Sequence, residues 1–519
     1  MRKILFGMLF VIAIALSACG GDDAQAGRDT PFIGTYLSDF TSIAPLGDNG
    51  AATRAILRNM HDALYGYNPD GSLFLSLAES IEYELSGDHI AATITLREGI
   101  YFHNDRAIDA WDVEYSFKRL AGLIPDISIT EIRAHGFFPN MLNGNPDDGF
   151  VPGHITVIDA RNLVAYFDAS HGILPIRHQL ADGFIVPRDY PEEMQLTHPI
   201  GAGPYKFVSY SEGDRIVFTR FDNWHGELPD IINVEFHRFA NPAALSMAFQ
   251  AGEIDIITVT EENYRAISNM GVSIYEALSN EVWVLFLNNA GQYFNDIRLR
   301  RAIHYAIDND RVNQIVRGGR GAPLFSHMSP FMENYYNPEL ENLYPTNPDR
   351  ARELLAEAGF PDGFSAVFRI VDNPLYHDIA AVVQSELQAI GIDLTIQPQP
   401  WNAFNEEVVR GRNYEISLLN VVGFADASRV LGRYRSTASN NKGNFENLEV
   451  DRLLTDALAS WDHSAATDMY HEVQRLLTYY AAAFWVIDPG VMVALSPEFT
   501  GFRNYPFAFT NISAIRFVD

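Results

Sequence analysis

Two short stretches of the sequence approach known catalytic or phosphate-binding motifs. His471 and Glu472 begin the string HEVQR, but Arg475 stands where a zinc-binding H-E-x-x-H helix would have its second histidine. The stretch GGRGAP at 318–323 is rich in glycine but lacks the Lys-Ser/Thr pair with which a P-loop holds phosphate. No G-x-S-x-G turn occurs, and the 15 histidines follow no metal-ligand spacing. The sequence therefore predicts no catalytic residue, no metal and no cofactor.

Cys19 is the only cysteine of the sequence, and it follows an apolar run. The first 18 residues have the positive start, apolar centre and small residues of a secretory signal peptide, and the run is too short to predict a membrane span. Leu16 to Cys19 resemble the bacterial lipobox, in which the thiol is diacylated and becomes the new N-terminus. We expect an extracytoplasmic protein that is anchored to the cell membrane only through this lipid.

The formal net charge of −29 makes the protein strongly acidic. Such a charge opposes binding to nucleic acid and to anionic lipid, so neither is predicted as a partner. A single cysteine permits no disulfide within the chain, so the hydrophobic core must stabilise the fold unaided. Hydrophobic residues make up 47% of the 519 residues, which is enough for such a core, and the length predicts two or more folding units.

Hydrophobic spacing predicts an α/β fold with mixed sheets. Helical spacing predicts one helix across 296–317, ended by Gly318, and another from Asp349 to Gly359. The string DIAAVVQSELQAIGIDLTIQPQ predicts a helix that ends at Gly391 and passes into a strand, which is typical of an α/β domain. Strict alternation of apolar residues predicts strands in HIAATITLREGI, RIVFTRF and INVEFHRF.

Several further strings can be matched, in order along the chain, to one known family. The stretch from MHDALYGYNPDGSLFLSLAES to DRAIDAWDVEYSFKRL is similar to the family's "LAesw … tf.LR.gv.Fhdg … tA.DV.fs" pattern, and HPIGAGPYKF to its GTGPY turn. QAGEIDII, LFLNNAGQYFNDIRLRRAIHYAID, DRARELLAEAGFPDGF and NFENLEVDRLLTDA resemble its later strings, and the match runs from about Phe32 to Gly501. On these strings the chain resembles the dipeptide, oligopeptide and nickel-type solute-binding proteins that feed ABC importers, extracytoplasmic solute-binding protein family 5.

This resemblance implies a two-lobed, periplasmic-binding-protein-like fold of type II. Two chain crossings, near Ala277 to Glu281 and near Trp485 to Gly490, would form a hinge between the lobes. A monomer of this kind captures a peptide or other small solute between the lobes and delivers it to the permease subunits of the importer. The implied division is a signal peptide at 1–18, a flexible tether at 19–31, lobe one at 32–277 with an extra subdomain at about 60–195, lobe two at 278–487, and a return to lobe one at 488–519.

One segment departs from the pattern of the family's peptide binders. These carry a tryptophan followed three residues later by an aspartate that pairs with the peptide's α-amino group. In the segment YEISLLNVVGFADASRVLGRY, a strand from Ile416 to Leu419 leads into Asn420 at the tryptophan position, and Gly423 takes the aspartate position. A buried ammonium without its carboxylate costs several kcal/mol. The departure therefore argues against ordinary free-amine dipeptides, unless Asp426 or Glu415 substitutes.

Positions along the family pattern give the candidate ligand-binding residues. Tyr36 lies on the first strand of lobe one, where family members approach the ligand, and core packing is its alternative role. Trp401 either walls the cleft or packs against a helix at 402–410, and Trp485 lies at the return crossing, where core packing again competes. The predicted set is Tyr36, Trp401, Asn420, Val421, Gly423, Phe424 and Trp485.

Three alternatives to peptide import stay open at this point. The solute could be a non-peptide, such as a metal chelate or an oligosaccharide. The protein could also be a receptor for a peptide signal without any transport partner. A tethered hydrolase is the weakest alternative, because the sequence offers no nucleophile, base and orienting residue together.

Overall fold

Helices and strands alternate along the chain, and the computed structural model describes residues 30–36, 43, 51–87, 89–121, 124 and 155–518. The strands are β1 Phe32–Tyr36, β2 Tyr65–Tyr67, β3 Leu73–Leu75, β4 Ala78–Ser86, β5 His89–Leu96, β6 Ile155–Val157, β7 Asn162–Asp168, β8 Tyr205–Ser211, β9 Arg215–Arg220, β10 Asn233–Arg238, β11 Ile256–Val259, β12 Ile274–Ala277, β13 Glu281–Leu287, β14 Ala322–Pro323, β15 Phe364–Val371, β16 Ile392–Gln399, β17 Ile416–Val422, β18 Phe484–Trp485, β19 Ile487–Asp488, β20 Val491–Leu495, β21 Phe499–Thr500 and β22 Arg516–Phe517. The α-helices are α1 Ala51–Leu57, α2 Ala110–Leu120, α3 Ile173–Asp182, α4 Glu192–Gln195, α5 Pro242–Ala251, α6 Glu261–Ser268, α7 Ile297–Ala306, α8 Asn309–Arg317, α9 Pro348–Glu357, α10 Pro374–Gln388, α11 Trp401–Phe404, α12 Ala427–Leu431, α13 Leu448–Ala459 and α14 His463–Tyr479.

Four strands form a first sheet in the order β1, β10, β9, β8. β1 runs parallel to β10, whereas β10, β9 and β8 are antiparallel neighbours. Phe32, Phe218 and Phe236 are buried together in one core cluster. The predicted strands RIVFTRF and INVEFHRF correspond to β9 and β10, so both predictions are confirmed.

A second sheet, entirely antiparallel, has the order β4, β5, β7, β6 and lies within the predicted subdomain. Its central strand β5 is the predicted strand HIAATITL, and apolar residues are buried at every second position along it. Helix α2 belongs to the same core through Phe117. Asp109 caps its N-terminus, because its side chain accepts hydrogen bonds from the backbone N–H groups of Trp111 and Asp112.

A five-stranded mixed sheet follows later in the chain, in the order β16, β15, β17, β13, β18. β15 is parallel to both of its neighbours, and β13 is antiparallel to β17 and β18. The predicted joint is confirmed, because α10 ends just before Gly391, whose φ of +97° suits glycine, and β16 begins at the next residue. The helix predicted to start at Asp349 is also confirmed as α9.

The helix predicted across 296–317 consists of two helices, so this prediction was wrong. Ile307 is extended, with φ −93° and ψ 129°, and it separates α7 from α8. The side chain of Asp308 accepts a hydrogen bond from the backbone N–H of Arg311 at 3.0 Å and caps the second helix. An aspartate cap of this kind begins a new helix, although apolar residues continue to recur at helical spacing across the break.

The chain returns to its earlier strands after the five-stranded sheet. β20 lies between β11 and β12 in a three-stranded antiparallel sheet. Two connecting segments, near Ala277 to Glu281 and near Trp485 to Gly490, are linked by the buried Asp488. The carboxylate of Asp488 accepts hydrogen bonds from Ser279 N at 3.0 Å, Ser279 Oγ at 2.6 Å and Ser329 Oγ at 2.6 Å. We therefore expect the hinge here, and the predicted lobe boundaries stay predictions.

Candidate ligand-binding cleft

A cavity of about 380 Å³ lies where the first sheet and the β11–β20–β12 sheet meet the five-stranded sheet, and we call it the cleft cavity. Thr35 and Phe236 contribute from the first sheet, and Glu281 and Val422 from the ends of β13 and β17. A segment at 502–510 completes the wall with aromatic rings. Its aromatic lining residues are Phe502, Tyr505, Phe507 and Phe509.

Two further cavities adjoin the cleft cavity. The first, the aromatic cavity, has a volume of about 400 Å³ and shares Phe507 and Phe509 with the cleft cavity. The second, the outer cavity, has a volume of about 810 Å³, shares Asn504 with the cleft cavity, and lies between residues 69–73 and residues 330–335. These volumes lie within the range of about 300–1,000 Å³ that is usual for ligand pockets.

Asn420 lies in β17, which continues through this residue to Val422 and does not end at Leu419 as predicted. The hydroxyl of Tyr376 donates to Asn420 Oδ1 at 2.5 Å, and Asn420 Nδ2 donates to the carboxylate of Glu281. Burial raises the pKa of Tyr376 to about 12, so this hydroxyl keeps its proton and can donate. Asn420 therefore fixes the position of Glu281 at the edge of the cleft cavity.

Gly423 is packed against the backbone of Asn280. A Cβ atom added at Gly423 would lie only 2.1 Å from Asn280 O. Asn280 has a φ of +54°. Its Nδ2 donates to Pro506 O at 2.8 Å, and this hydrogen bond to the segment at 502–510 holds Asn280 in place against Gly423. An aspartate side chain therefore does not fit at 423 without movement of the backbone.

The two acids considered as substitutes already accept hydrogen bonds from groups close to them. Asp426 caps helix α12, and its carboxylate accepts hydrogen bonds from Ser428 N and Ser428 Oγ, both at 2.8 Å. Glu415 immediately precedes the first residue of β17, at the end of the strand far from Gly423. Its carboxylate accepts hydrogen bonds from the backbone N–H groups of Gln292 and Tyr293. Both carboxylates are therefore committed to local structure.

Phe424 is covered by a cation that connects the two walls of the cleft. The guanidinium of Arg429 lies 3.9 Å from the centroid of the Phe424 ring and 2.9 Å from the carboxylate of Asp182 in α3. Asp182 also accepts from Arg58 at 2.8 Å. We call these three charged residues the Arg58–Asp182–Arg429 bridge. The neighbouring Val421 is buried in the core beneath the five-stranded sheet.

The three remaining predicted residues lie in different surroundings. Trp485 is 1% exposed and its indole N–H donates to Tyr434 Oη at 3.0 Å. Tyr36 is buried in the core of the first sheet, whereas Trp401 is 53% exposed and stacks on Phe404 with ring centroids 6.2 Å apart. These positions match the core alternatives for Trp485 and Tyr36 and the helix-packing alternative for Trp401. Contact of these residues with a ligand stays a prediction.

The sequence reasoning came within one residue of the cleft lining but did not reach it. None of the seven predicted residues lines the cleft cavity, whereas Thr35 and Val422, which adjoin Tyr36 and Val421, do. Successive side chains of a strand point to opposite faces, so an error of one position exchanges cavity for core. Glu281 was also missed, although an acid at the head of the apolar string EVWVLFL is an available signal.

The aromatic cavity contains polar groups of its own. Asp62 accepts from Ser76 Oγ and from Ala63 N, both at 2.8 Å, and His225 Nε2 lies 3.5 Å from its second oxygen. Burial raises the pKa of Asp62 and lowers the pKa of His61 to about 3, so His61 is neutral at physiological pH. The described part of the chain contains no cluster of three metal-ligating side chains.

Comparison with proteins of known structure identifies the fold. The substrate-binding protein CtaP of Listeria monocytogenes superposes with a TM-score of 0.81 at 21% identity, over 94% of this chain and 99% of that one. DppA of Helicobacter pylori, in complex with the peptide STSA, superposes with a TM-score of 0.77 at 20% identity, over 96% and 100%. The fold is therefore the two-lobed fold of periplasmic binding proteins, as predicted.

Sequence comparison identifies the family. The family model of bacterial extracellular solute-binding proteins, family 5 (middle region), matches residues 73–442. Heme-binding protein A of Haemophilus influenzae is 25% identical over 90% of this chain and 90% of its own, and the oligopeptide-binding protein AppA of Bacillus subtilis is 24% identical over 97% and 96%. The chain belongs to family 5 of the bacterial extracellular solute-binding proteins.

Membership in this family defines the general role of the chain. It is a substrate-binding protein of the peptide-type ABC importer family, and it is a transport protein and not an enzyme. The family is extracytoplasmic. Across the residues described by the structure, no helix combines the length and the apolar character that a membrane crossing requires.

Proposed function

We propose that the protein captures a peptide or peptide-like solute in the cleft cavity and delivers it to the permease of an ABC importer. The observation that carries this proposal is the composition of the cavity wall, which unites Thr35 and Phe236 with Glu281 and Val422 from the five-stranded sheet. A ligand in this position touches both walls and thereby stabilises the closed state. AppA and DppA, which bind peptides according to their names and titles, support the peptide class.

Contacts between the walls support a hinged closure of residues 278–487 onto the remainder of the chain. Arg429 reaches across the cleft to Asp182 at 2.9 Å. Nearby, Gly172 N donates to Leu458 O at 2.5 Å, which joins the start of α3 to α13. These polar contacts would have to break before the cleft could open to admit a solute.

The position of the protein in the cell is part of the same proposal. Cys19 and the signal-like residues before it lie outside the described residues. Export and lipid attachment are therefore proposed from the lipobox-like sequence alone. A diacylated Cys19 would hold a monomer at the outer face of the cell membrane, next to the permease. The mass of the mature N-terminal peptide tests this directly, because lipidation of the Cys19 thiol adds the mass of one diacylglyceryl group.

A non-peptide solute is the second candidate, and the aromatic cavity favours it. This cavity presents Tyr65, Phe74, Phe184 and Trp224, which suit a flat apolar molecule as well as a peptide side chain. Heme-binding protein A, a relative with a non-peptide ligand in its name, points the same way.

Native mass spectrometry of the protein purified from its own host tests the proposal. We expect a mixture of short peptides to be retained, because the cleft cavity and its neighbours offer broad apolar contacts. Protein that has been unfolded, washed and refolded is the blank. A single bound mass of non-peptide composition would overturn the peptide class and leave the solute-binding role in place.

A further inference from the structure

Glu281 is a cleft carboxylate that lacks a cationic partner within the described part of the chain. It begins β13, faces Val422 across the sheet, and lines the cleft cavity. Its carboxylate accepts a hydrogen bond from Asn420 Nδ2, but no arginine, lysine or histidine in the described chain lies within ion-pair distance of it. Arg317, whose field reaches Glu281, already donates to Pro489 O at 2.8 Å and pairs with Glu261 at 3.7 Å.

A second buried carboxylate increases the negative potential at this end of the cleft. Asp488 is completely buried, and its hydrogen bonds come from neutral donors of Ser279, Ser329 and Gly490. Burial, together with the repulsion from Asp488, raises the pKa of Glu281. An ionised carboxylate in such a place is costly unless a cation joins it.

We propose that Glu281 is the anchor for a cationic group of the ligand, an organic ammonium such as the α-ammonium of a peptide. This inference rests on the proposed function and specifies its ligand class. The carboxylate that the family's peptide binders use is missing at Gly423, where Asn280 occupies the space. Glu281 follows Asn280 directly and pairs with Val422, the residue before Gly423, so it offers a carboxylate beside the position that lost one.

The other walls of the cleft cavity suit an ammonium group with an apolar neighbour. Phe502, Tyr505, Phe507 and Phe509 line the cavity together with Glu281. Aromatic faces attract cations and also bury the carbon atoms that flank them. Asp62, an acid that lines the aromatic cavity, already accepts two hydrogen bonds in addition to its contact with His225.

Binding measurements on two matched variants test the proposal. E281Q removes the charge but keeps an acceptor for Asn420, and E276Q removes an equivalent charge from the exposed Glu276 on β12, outside the cleft lining. The probes are a pool of tripeptides, the same pool with acetylated N-termini, and 2-phenylethylammonium. We expect E281Q to weaken binding of the free-amine pool by roughly 30-fold or more. E276Q should leave this binding unchanged. The acetylated pool should bind weakly and equally to the wild type and E281Q.

The outcomes separate this inference from the proposed function. If the free-amine pool binds the wild type and E281Q equally well, the anchor role is overturned while peptide capture stands. If neither pool binds but 2-phenylethylammonium binds in a Glu281-dependent way, the cation site stands and the peptide class fails. If no probe binds, both fail.

The stability of the unliganded protein supplies a second readout. Because the native pKa of Glu281 lies above its unfolded value, ionisation of this group opposes folding at neutral pH. We expect E281Q without ligand to melt about 1–2 °C above the wild type at pH 7. This difference should shrink as the pH falls through the raised pKa, since protonation then removes the native charge as well. A lower melting temperature for E281Q would show that Glu281 serves the fold, and would overturn the anchor role.

Discussion

At the scale of single residues, the cleft differs from the family's peptide-binding pattern through one close contact. Asn280 fills the space beside Gly423, and Asn420 directs its amide toward Glu281 and Tyr376. Gly423 and Glu281 lie next to each other, because Glu281 pairs with Val422, the residue before Gly423. If Glu281 is the anchor proposed above, ligand recognition at this point should depend on β13 more than on β17.

Restoring the family's aspartate should not restore the family's amine anchor. We expect G423D to destabilise the protein by about 1–3 kcal/mol, because the new side chain overlaps Asn280. Urea unfolding measures this loss. Gly432, where an added Cβ meets no atom within 4 Å, gives the control variant G432A. Unchanged stability of G423D with tighter binding of free-amine peptides would contradict the close packing described here.

At the scale of elements, local patterns predicted much of the fold, but none of the predicted ligand-binding residues lines the cleft cavity. The strands β5, β9 and β10 and the joint of α10 with β16 follow from spacing within each segment. The break at Ile307 was missed because apolar spacing continues across it. The lining of the cleft was missed for a different reason. It depends on the register of β13 with β17 and on the aromatic segment at 502–510, and both involve residues far apart in the sequence.

The tie between the two connecting segments should contribute strongly to stability. We expect D488A to lower the free energy of unfolding by roughly 2–4 kcal/mol, since Ser279 and Ser329 lose a charged acceptor in a buried place. Chemical denaturation measures the change. The control is D378A, an exposed position in α10, which should stay within about 0.5 kcal/mol of the wild type. Equal changes in the free energy of unfolding for both variants would mean that the hydrogen bonds of Asp488 do not stabilise the protein more than an exposed aspartate does.

At the scale of the whole molecule, the Arg58–Asp182–Arg429 bridge connects α3, in predicted lobe one, to Arg429, in predicted lobe two. All three side chains are mostly buried, with exposed fractions between 15% and 23%. Charged contacts of this kind act mainly on the rate at which a complex comes apart. Opening of the cleft should therefore be limited in part by this bridge.

Removing the central charge of the bridge should speed the release of solute. We expect D182N to release the co-purified solutes about 3- to 10-fold faster than the wild type, followed by native mass spectrometry after dilution. The matched control is D189N, because Asp189 pairs with Arg106 at 3.0 Å but its side chain is 60% exposed. Identical release rates for D182N and the wild type would show that the bridge does not limit the release of solute.

A solute bound between the two walls of the cleft should hold the molecule closed. Replacing Cys19 by serine leaves no native cysteine, so dyes can be attached to cysteines placed at the exposed residues Leu85 on β4 and Leu448 on α13. A pair at Leu85 and Val208, both in predicted lobe one, is the control. Energy transfer between Leu85 and Leu448 should change when the solutes extracted from the native protein are added back to stripped protein, while the control pair stays constant. Energy transfer between these two positions that is the same with and without bound solute would show that the solute does not hold the molecule closed.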